Sequence, residues 1–302
     1  MIPHVQLPGH AGGWSSNDLA AVAADIGGPI RREGFVFVHG HGIAPDLIGD
    51  VYEETRRFYR LPGEVKSRYD ATGQSQFLGY RGLGRERSRI HGGTEACEQY
   101  RIGGITSSLP LGTSADFYHA PFPASLELFN HLRRLGDAIL AACALDLGLA
   151  DNTFARHLAE GPLHRLGLNY YGASHLHPAD AGYAMSPHID LSLLTILDQD
   201  EPGLEVRDRD GQWLEVPTVP GALFLFLGDY LQRWSNGQQR AAPHRVRRVS
   251  RDRMSIQYKH RPDFGVVISP LDALTSPAHG PLYPALNTGP DYVAVLRSIL
   301  GR

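Results

Sequence analysis

The chain has 302 residues, a formal net charge of −3 and a pI near 6.6, which gives no basic footprint for nucleic acid and no acidic tail. Hydrophobic residues make up 42% and charged residues 20%, enough for a sizeable globular core, and no run reaches the roughly 18 apolar residues of a membrane span. Two cysteines, Cys97 and Cys143, without a CxxC pattern exclude a disulfide framework or zinc ribbon, and with no signal-like N-terminus the expected compartment is a reducing cytoplasm.

The apolar spacing of Leu19, Val22, Ala23, Ile26 and Ile30 predicts a helix from Ser16 to Arg32, broken or kinked at Gly27-Gly28-Pro29. A short buried strand is expected at Gly34–Val38, a helix at Pro45–Tyr59 and a shorter one after Pro62. Ala71–Ala120 is rich in Gly, Ser, Thr and Arg and reads as mostly irregular, with one strand at Glu98–Ile102. Phe122–Leu147 carries apolar residues at helical spacing and is the longest predicted helix. From Leu163 the period changes to short strands: Leu163–Tyr171, Ala184–Asp190, Leu193–Leu197, Leu204–Val206, Trp213–Val216, Ala222–Leu227, His244–Val249 and Met254–His260. Gly, Pro and Asp mark the turns, and a helix at Asp291–Leu300 closes the chain. The expectation is an α+β fold in one structural domain, 1–302. A helical N-terminal region, 1–120, would flank a sandwich or jelly-roll core at 160–265.

The chemistry centres on Ser186-Pro187-His188-Ile189-Asp190. Side chains two apart on a strand share a face, so His188 and Asp190 can reach one metal ion, and His244 at the start of a later strand can supply a third ligand. Two histidines and a carboxylate leave open positions that suit iron(II) with a bidentate cosubstrate and dioxygen. An isolated H-x-D is a weak signal in a chain with fifteen histidines. Arg253 and Ser255 strengthen it, because they lie on one strand face beyond His244 and can clasp a carboxylate. The bland alternative for Arg253 is a surface arginine in the basic cluster Arg245, Arg247, Arg248, Arg251.

Motifs along nearly the whole chain resemble the isopenicillin N synthase-like branch of the iron(II)/2-oxoglutarate-dependent dioxygenases. Gly34 to Ile43 (GFVFVHGHGI) resembles the family's GFFxVxNHGI, and Phe58 to Tyr69 (FYRLPGEVKSRY) its FFxLPxExKxxY. Gly79-Tyr80 with Gly84 and Glu86, Asn169-Tyr170-Tyr171, His188 to Leu197 (HIDLSLLTIL) and Gly221 to Gly237 (GALFLFLGDYLQRWSNG) follow in the family's order. The resemblance implies a jelly-roll (double-stranded β-helix) core, with iron held by His188, Asp190 and His244. It implies that Arg253 and Ser255 hold the distal carboxylate of 2-oxoglutarate, with Tyr171 a third partner and Asn169 near the proximal end. It further implies an oxygenase that consumes O2 and 2-oxoglutarate, releases succinate and CO2, and draws on ascorbate to keep iron reduced. The expected reaction is oxidation of an unactivated C–H bond of a small molecule in a natural-product pathway: hydroxylation, desaturation, cyclisation or epoxidation.

Departures from the family pattern also carry information. His175 and His177 form a second H-x-H, read as an exposed loop, and Phe226-Leu227-Gly228-Asp229 lacks the family's asparagine, which makes that wall more apolar. Asp190 disfavours the halogenase variant. Two other readings stand beside the first: a cosubstrate-free oxidase in which Arg253 and Ser255 bind the substrate, and a non-catalytic jelly-roll binding protein. The substrate is expected between the barrel mouth and Ala71–Ala120, with Tyr80, Arg81, Tyr100, Ile102, Phe117, Gln232, Trp234 and Tyr258 as candidate contacts. A monomer without nucleic-acid or membrane partners is the default.

Overall fold

Short runs of β-branched and aromatic residues, separated by Gly, Pro and Asp turns, pair into two facing sheets in a computed structural model. The structure describes residues 1–9, 13–70, 78–88, 93–103, 122–159, 163–175, 182–276 and 280–301. In chain order the elements are β1 (His4–Gln6), α1 (Ser16–Arg32), β2 (Phe35–His39), α2 (Pro45–Tyr59), α3 (Gly63–Lys66), β3 (Gly79–Arg81) and β4 (Glu98–Gly103). They continue with α4 (Pro123–Asp146), β5 (Arg165–Tyr171), β6 (Tyr183–His188), β7 (Leu194–Gln199), β8 (Leu204–Arg207), β9 (Trp213–Glu215) and β10 (Ala222–Leu227). The chain ends with α5 (Asp229–Trp234), β11 (His244–Arg247), β12 (Arg253–His260), β13 (Val267–Ile268), β14 (Leu286–Asn287) and α6 (Thr288–Ile299).

The large sheet has the order β1-β2-β10-β7-β12-β5-β4-β3 and the small one β6-β11-β8-β9. Two apolar layers hold them. Phe35, Phe37, Leu197, Phe224, Phe226 and Val246 fill the space between the sheets. Ile26, Phe58, Leu132, Ile139, Ile196 and Ile256 belong to a second core, where α1, α2 and α4 cover the outer face of the large sheet. This is the jelly-roll core with flanking helices that the strand spacing predicts. No helix among the described residues is long and apolar enough to cross a membrane.

Local chemistry explains the helix ends. Ser15 and Asp18 form a reciprocal capping box at the start of α1. At α4 the cap comes from another helix: the Glu54 carboxylate of α2 accepts the backbone N–H of Ala124 (2.7 Å) and Ser125 (3.0 Å).

The expected break at Gly27-Gly28-Pro29 does not occur. Pro29 falls in the last turn of α1, where little helix remains to be disrupted, and its own carbonyl accepts Glu33 N–H at 2.8 Å. Gly27 is there for contact: a Cβ would lie 1.9 Å from Asp146 Oδ1 at the end of α4. His175 also departs from expectation. It is half-buried, with Nε2 3.5 Å from the Glu98 carboxylate, while His177 lies outside the described residues.

Candidate active site

Antiparallel pairing of β11 with β6 sets His244 opposite His188, with ring centroids 4.2 Å apart. Asp190 does not sit on the strand face expected for it. β6 ends at His188, and Asp190 lies in the following turn, where its carbonyl accepts Asp229 N–H at 2.9 Å. The turn packs against Gly228 so closely that a Cβ there would meet Ser192 O at 2.3 Å, which accounts for the glycine. The result still brings the three side chains together. Asp190 Oδ1 is 3.6 Å from His188 Nε2 and 3.8 Å from His244 Nε2, and the three ligand atoms lie within 4.8 Å of one another.

Each imidazole is oriented from behind. His188 Nδ1 bonds Ser186 O at 2.8 Å and His244 Nδ1 bonds Ala242 O at 3.1 Å. A carbonyl only accepts, so both Nδ1 atoms carry a hydrogen, and Nε2 is the atom each ring turns toward Asp190. Burial, then neighbouring His188, pushes His244 down to about 3, which keeps it neutral. Burial raises Asp190, but Lys259 and His244 outweigh it and hold the carboxyl well below its ordinary range. Thr195 Oγ1 donates to Asp190 Oδ2 at 2.6 Å and Lys259 Nζ to Oδ1 at 2.6 Å. Two imidazoles that turn Nε2 toward one ionised, anchored carboxylate are a donor set that fits a divalent first-row metal. Phe226 packs on His244 with centroids 4.5 Å apart, so this wall is apolar, as the missing asparagine predicts.

The residues expected to clasp a carboxylate lie on the inner face of the large sheet. Register pairs Arg253 with Tyr171 and Ser255 with Asn169 across β12 and β5. Asn169 Nδ2 is 3.5 Å from both Tyr171 Oη and Ser255 Oγ, and the Arg253 guanidinium lies 4.8 Å over the Tyr171 ring. Arg253 is buried. Its Nε donates to Glu201 O (3.0 Å) and Nη2 to Gln199 Oε1 (2.7 Å), while Nη1 has no partner among the described residues. A buried guanidinium with an unused N–H suits an incoming carboxylate, so this corner fits a dicarboxylate cosubstrate.

A cavity opens beside His188 and Asp190, under Gln257, Lys259, Arg101 and the C-terminal helix α6. Most of the expected substrate contacts are elsewhere. Tyr80, Tyr100, Ile102 and Tyr258 belong to the core beneath the helices, with Tyr100 packed on Phe58 and Phe122, and Tyr258 on Phe129. Alternation along the strands is the reason: Arg253, Ser255, Gln257 and Lys259 face inward, so Tyr258 faces out, and Arg101 faces in, so Tyr100 and Ile102 face out. Trp234 stacks on Phe154, and Gln232 accepts Ala241 N–H at 2.8 Å, because both lie on α5 and not on a strand entering the barrel. Arg81 stands one layer behind the cavity, bonded to its lining residue Glu86, and Phe117 lies outside the described residues. Gln257 and Lys259 were legible from the parity that Arg253 and Ser255 set on β12, whereas Arg101 is brought beside them by strand pairing. The covering by α6, through Tyr292, Leu296 and Ile299, has no local sequence signal.

Among the described residues a second group of two histidines and a carboxylate comes together: Asp137, His164 and His260. Arg261 N–H donates to His164 Nδ1 at 3.0 Å, so His164 Nε2 carries the hydrogen and has no lone pair to give. With Tyr258 Oη 3.3 Å from His260 Nδ1, this is a hydrogen-bonded core cluster.

Residues 163–262 match the 2OG-Fe(II) oxygenase superfamily, and residues 2–116 match the family described as non-haem dioxygenase in morphine synthesis N-terminal. A homoarginine-6-hydroxylase of Glycine max is 32% identical over 264 residues, covering 82% of this chain and 79% of that protein. Gibberellin 3-beta-dioxygenase 1 of Oryza sativa subsp. japonica is 30% identical, covering 95% and 76%. Among solved structures, a 2OG-Fe(II) oxygenase family protein from Caulobacter crescentus superposes with a TM-score of 0.78 at 25% identity, covering 99% of each chain. JOX2 in complex with 2OG, Fe and JA gives 0.78 at 25%, covering 98% of this chain and 86% of that one. Fold, donor set and relatives agree: the chain belongs to the 2OG-Fe(II) oxygenase superfamily and is an iron- and 2-oxoglutarate-dependent oxidoreductase.

Proposed function

We propose that His188, Asp190 and His244 bind iron(II), that Arg253, Ser255 and Tyr171 receive the distal carboxylate of 2-oxoglutarate, and that Asn169 steadies the cosubstrate nearer the metal. The reading rests most heavily on one observation: two Nε2 atoms and one carboxylate oxygen converge within 4.8 Å, each fixed by a bond on its far side. Together iron(II), 2-oxoglutarate and O2 supply the oxidant, with release of succinate and CO2. The chain's own work is placement. Arg253 orients the cosubstrate by its fork, Thr195 and the two backbone carbonyls hold the metal ligands still, and the Phe226 wall keeps water from His244. The substrate is a free small molecule that meets the centre from the Gln257–Lys259 side, and a C–H bond placed there is hydroxylated. A role in natural-product biosynthesis, one structural domain, and a monomer acting in the cytoplasm without nucleic acid complete the reading. The family members named for homoarginine and gibberellin, and JOX2 bound to JA, support a small-molecule substrate.

His188→Ala and Asp190→Ala test the ligand assignment. Each variant is expected to keep its fold and lose stoichiometric iron(II) on anaerobic reconstitution. Wild-type iron content in both would remove the triad from the metal.

A further inference from the structure

The inner face of the large sheet is a ladder of paired side chains. The first row is Arg253 and Tyr171; the second is Ser255, Asn169 and Gln99. The third row is Gln257, Gly167 and Arg101, and the fourth is Lys259, Arg165 and Gly103. Rows lie about 7 Å apart, so the third is about 13 Å from Arg253 and beyond the carboxylate clasp. The glycines leave room for long neighbours: a Cβ on Gly167 would press on Gln257 at 3.1 Å, and one on Gly103 would meet Arg165 at 2.7 Å.

The third and fourth rows concentrate positive charge. Arg101, Lys259 and Arg261, each at most 8% exposed, line the cavity with the buried Arg81 and Arg165 behind them, and the carboxylates that line it among the described residues are Glu86, Glu95 and Asp190. Glu86 is bonded by Arg81, Gln99 and Arg101 at once, and Asp190 serves the metal. Glu95 accepts Ser186 N–H at 2.9 Å. With Glu86 and Asp190 so engaged, Arg101, Lys259 and Arg261 give this wall of the cavity a positive character that suits an anion. Tyr292 of α6 registers the field. Burial raises its phenol, yet Arg261, Arg165, Arg101 and Arg81 outweigh that and pull it down to about 7. Arg101 Nη1 and the Gln257 carboxamide make no hydrogen bond among the described residues, and both line the cavity. The opposite wall is apolar: Pro187, Ile189, Leu296 and Ile299.

We propose that this cationic wall is the substrate's anchor. The substrate is a small acid whose carboxylate is received by Arg101 and Gln257 in the field of Lys259 and Arg261. Its apolar part lies along Pro187, Ile189, Leu296 and Ile299 and presents a C–H bond toward His188 and Asp190. The inference deepens the oxygenase reading and rests on it for the reaction, though not for the binding.

Hexanoate and its neutral isostere hexanamide serve as probes. Each is titrated into the protein with and without iron(II) and 2-oxoglutarate, under argon, with thermal denaturation as the readout. Hexanoate is expected to bind at least tenfold tighter than hexanamide. Arg101→Gln should erase that preference while the 2-oxoglutarate titration stays within threefold of wild type. Glu86→Gln, which removes a competing carboxylate, should tighten hexanoate binding, a gain that damaged folding cannot imitate. Equal binding of acid and amide, or binding of neither at tens of millimolar, overturns the anchor. So does an Arg101→Gln variant that loses 2-oxoglutarate instead, since the wall would then serve the cosubstrate. If wild type binds hexanoate selectively but gives no 2-oxoglutarate signal, the anion site stands and the oxygenase assignment fails.

Discussion

Replacing Arg253 by leucine removes three things at once: two bonds to the protein and the proposed clasp for the cosubstrate. The protein bonds are Nη2 to Gln199 Oε1 at 2.7 Å, buried, and Nε to Glu201 O at 3.0 Å, part-buried. Leaving those acceptors unpaired costs about 1–3 kcal/mol each in stability, so a lowered Tm is expected. The effect on 2-oxoglutarate is separate. A guanidinium–carboxylate contact contributes charge-assisted hydrogen bonds of about 1.5–3 kcal/mol apiece, and part of that is offset by desolvation. A net loss of about 3–4 kcal/mol corresponds to roughly 10²- to 10³-fold weaker cosubstrate binding. Arg253→Lys keeps the charge without the fork and should fall between, roughly tenfold weaker than wild type. The assay is anaerobic titration of 2-oxoglutarate into iron-loaded protein, followed by the visible charge-transfer band, with iron measured independently by a chelator. An Arg253→Leu variant that retains iron and binds 2-oxoglutarate within threefold of wild type would refute the assignment.

Other consequences are equally direct. Thr195→Val deletes the 2.6 Å bond to Asp190 Oδ2 and should weaken iron(II) binding roughly 10- to 100-fold with the fold intact, read by competition with a chelator. Gly27→Ala places a Cβ 1.9 Å from Asp146 Oδ1, held in turn by Arg31 at 2.8 Å, and should destabilise by about 1–3 kcal/mol. Gly28→Ala meets nothing within 4 Å and should be neutral or stabilising by up to about 1 kcal/mol, so equal Tm values for the pair would contradict the helix contact. Tyr292 has a folded-state pKa lowered from 10.0 to about 7. Its stabilising contribution is complete above pH 10 and fades as pH falls through 7, so the stability gap between wild type and Tyr292→Phe should widen from pH 7 to 10. A gap independent of pH across that window would show that the four arginines do not act on this phenol.

The candidate metal site was legible in the sequence because its pieces are local. His188 and Asp190 are two residues apart, Arg253 and Ser255 likewise, and His244 precedes them at a fixed interval. The strand expectation for Asp190 failed, yet its neighbourhood held, since a tight turn at Asp190–Ser192 delivers the carboxylate as well as a strand would. The wall of the cavity beside the triad was misread by one residue of register. Tyr100, Ile102 and Tyr258 were expected there, but a one-residue shift on a strand exchanges core for cavity, and the inward residues are Arg101, Gln257 and Lys259. The parity of Arg253 and Ser255 carried that information through β12. Nothing local told that α6 would close the cavity, because Arg87 N–H to Ile299 O, at 2.7 Å, joins segments more than two hundred residues apart. The broken α1 was a different kind of error, in which packing on α4 explained a glycine that propensity alone reads as a stop.

The most direct test of the central claim is anaerobic reconstitution with iron(II) followed by 2-oxoglutarate, watching the visible spectrum. One equivalent of iron should bind, and a weak metal-to-ligand charge-transfer band should grow with cosubstrate and be absent in His188→Ala, Asp190→Ala and His244→Ala. Iron binding without the band would contradict the cosubstrate assignment, and wild-type protein that binds no iron would contradict the site itself.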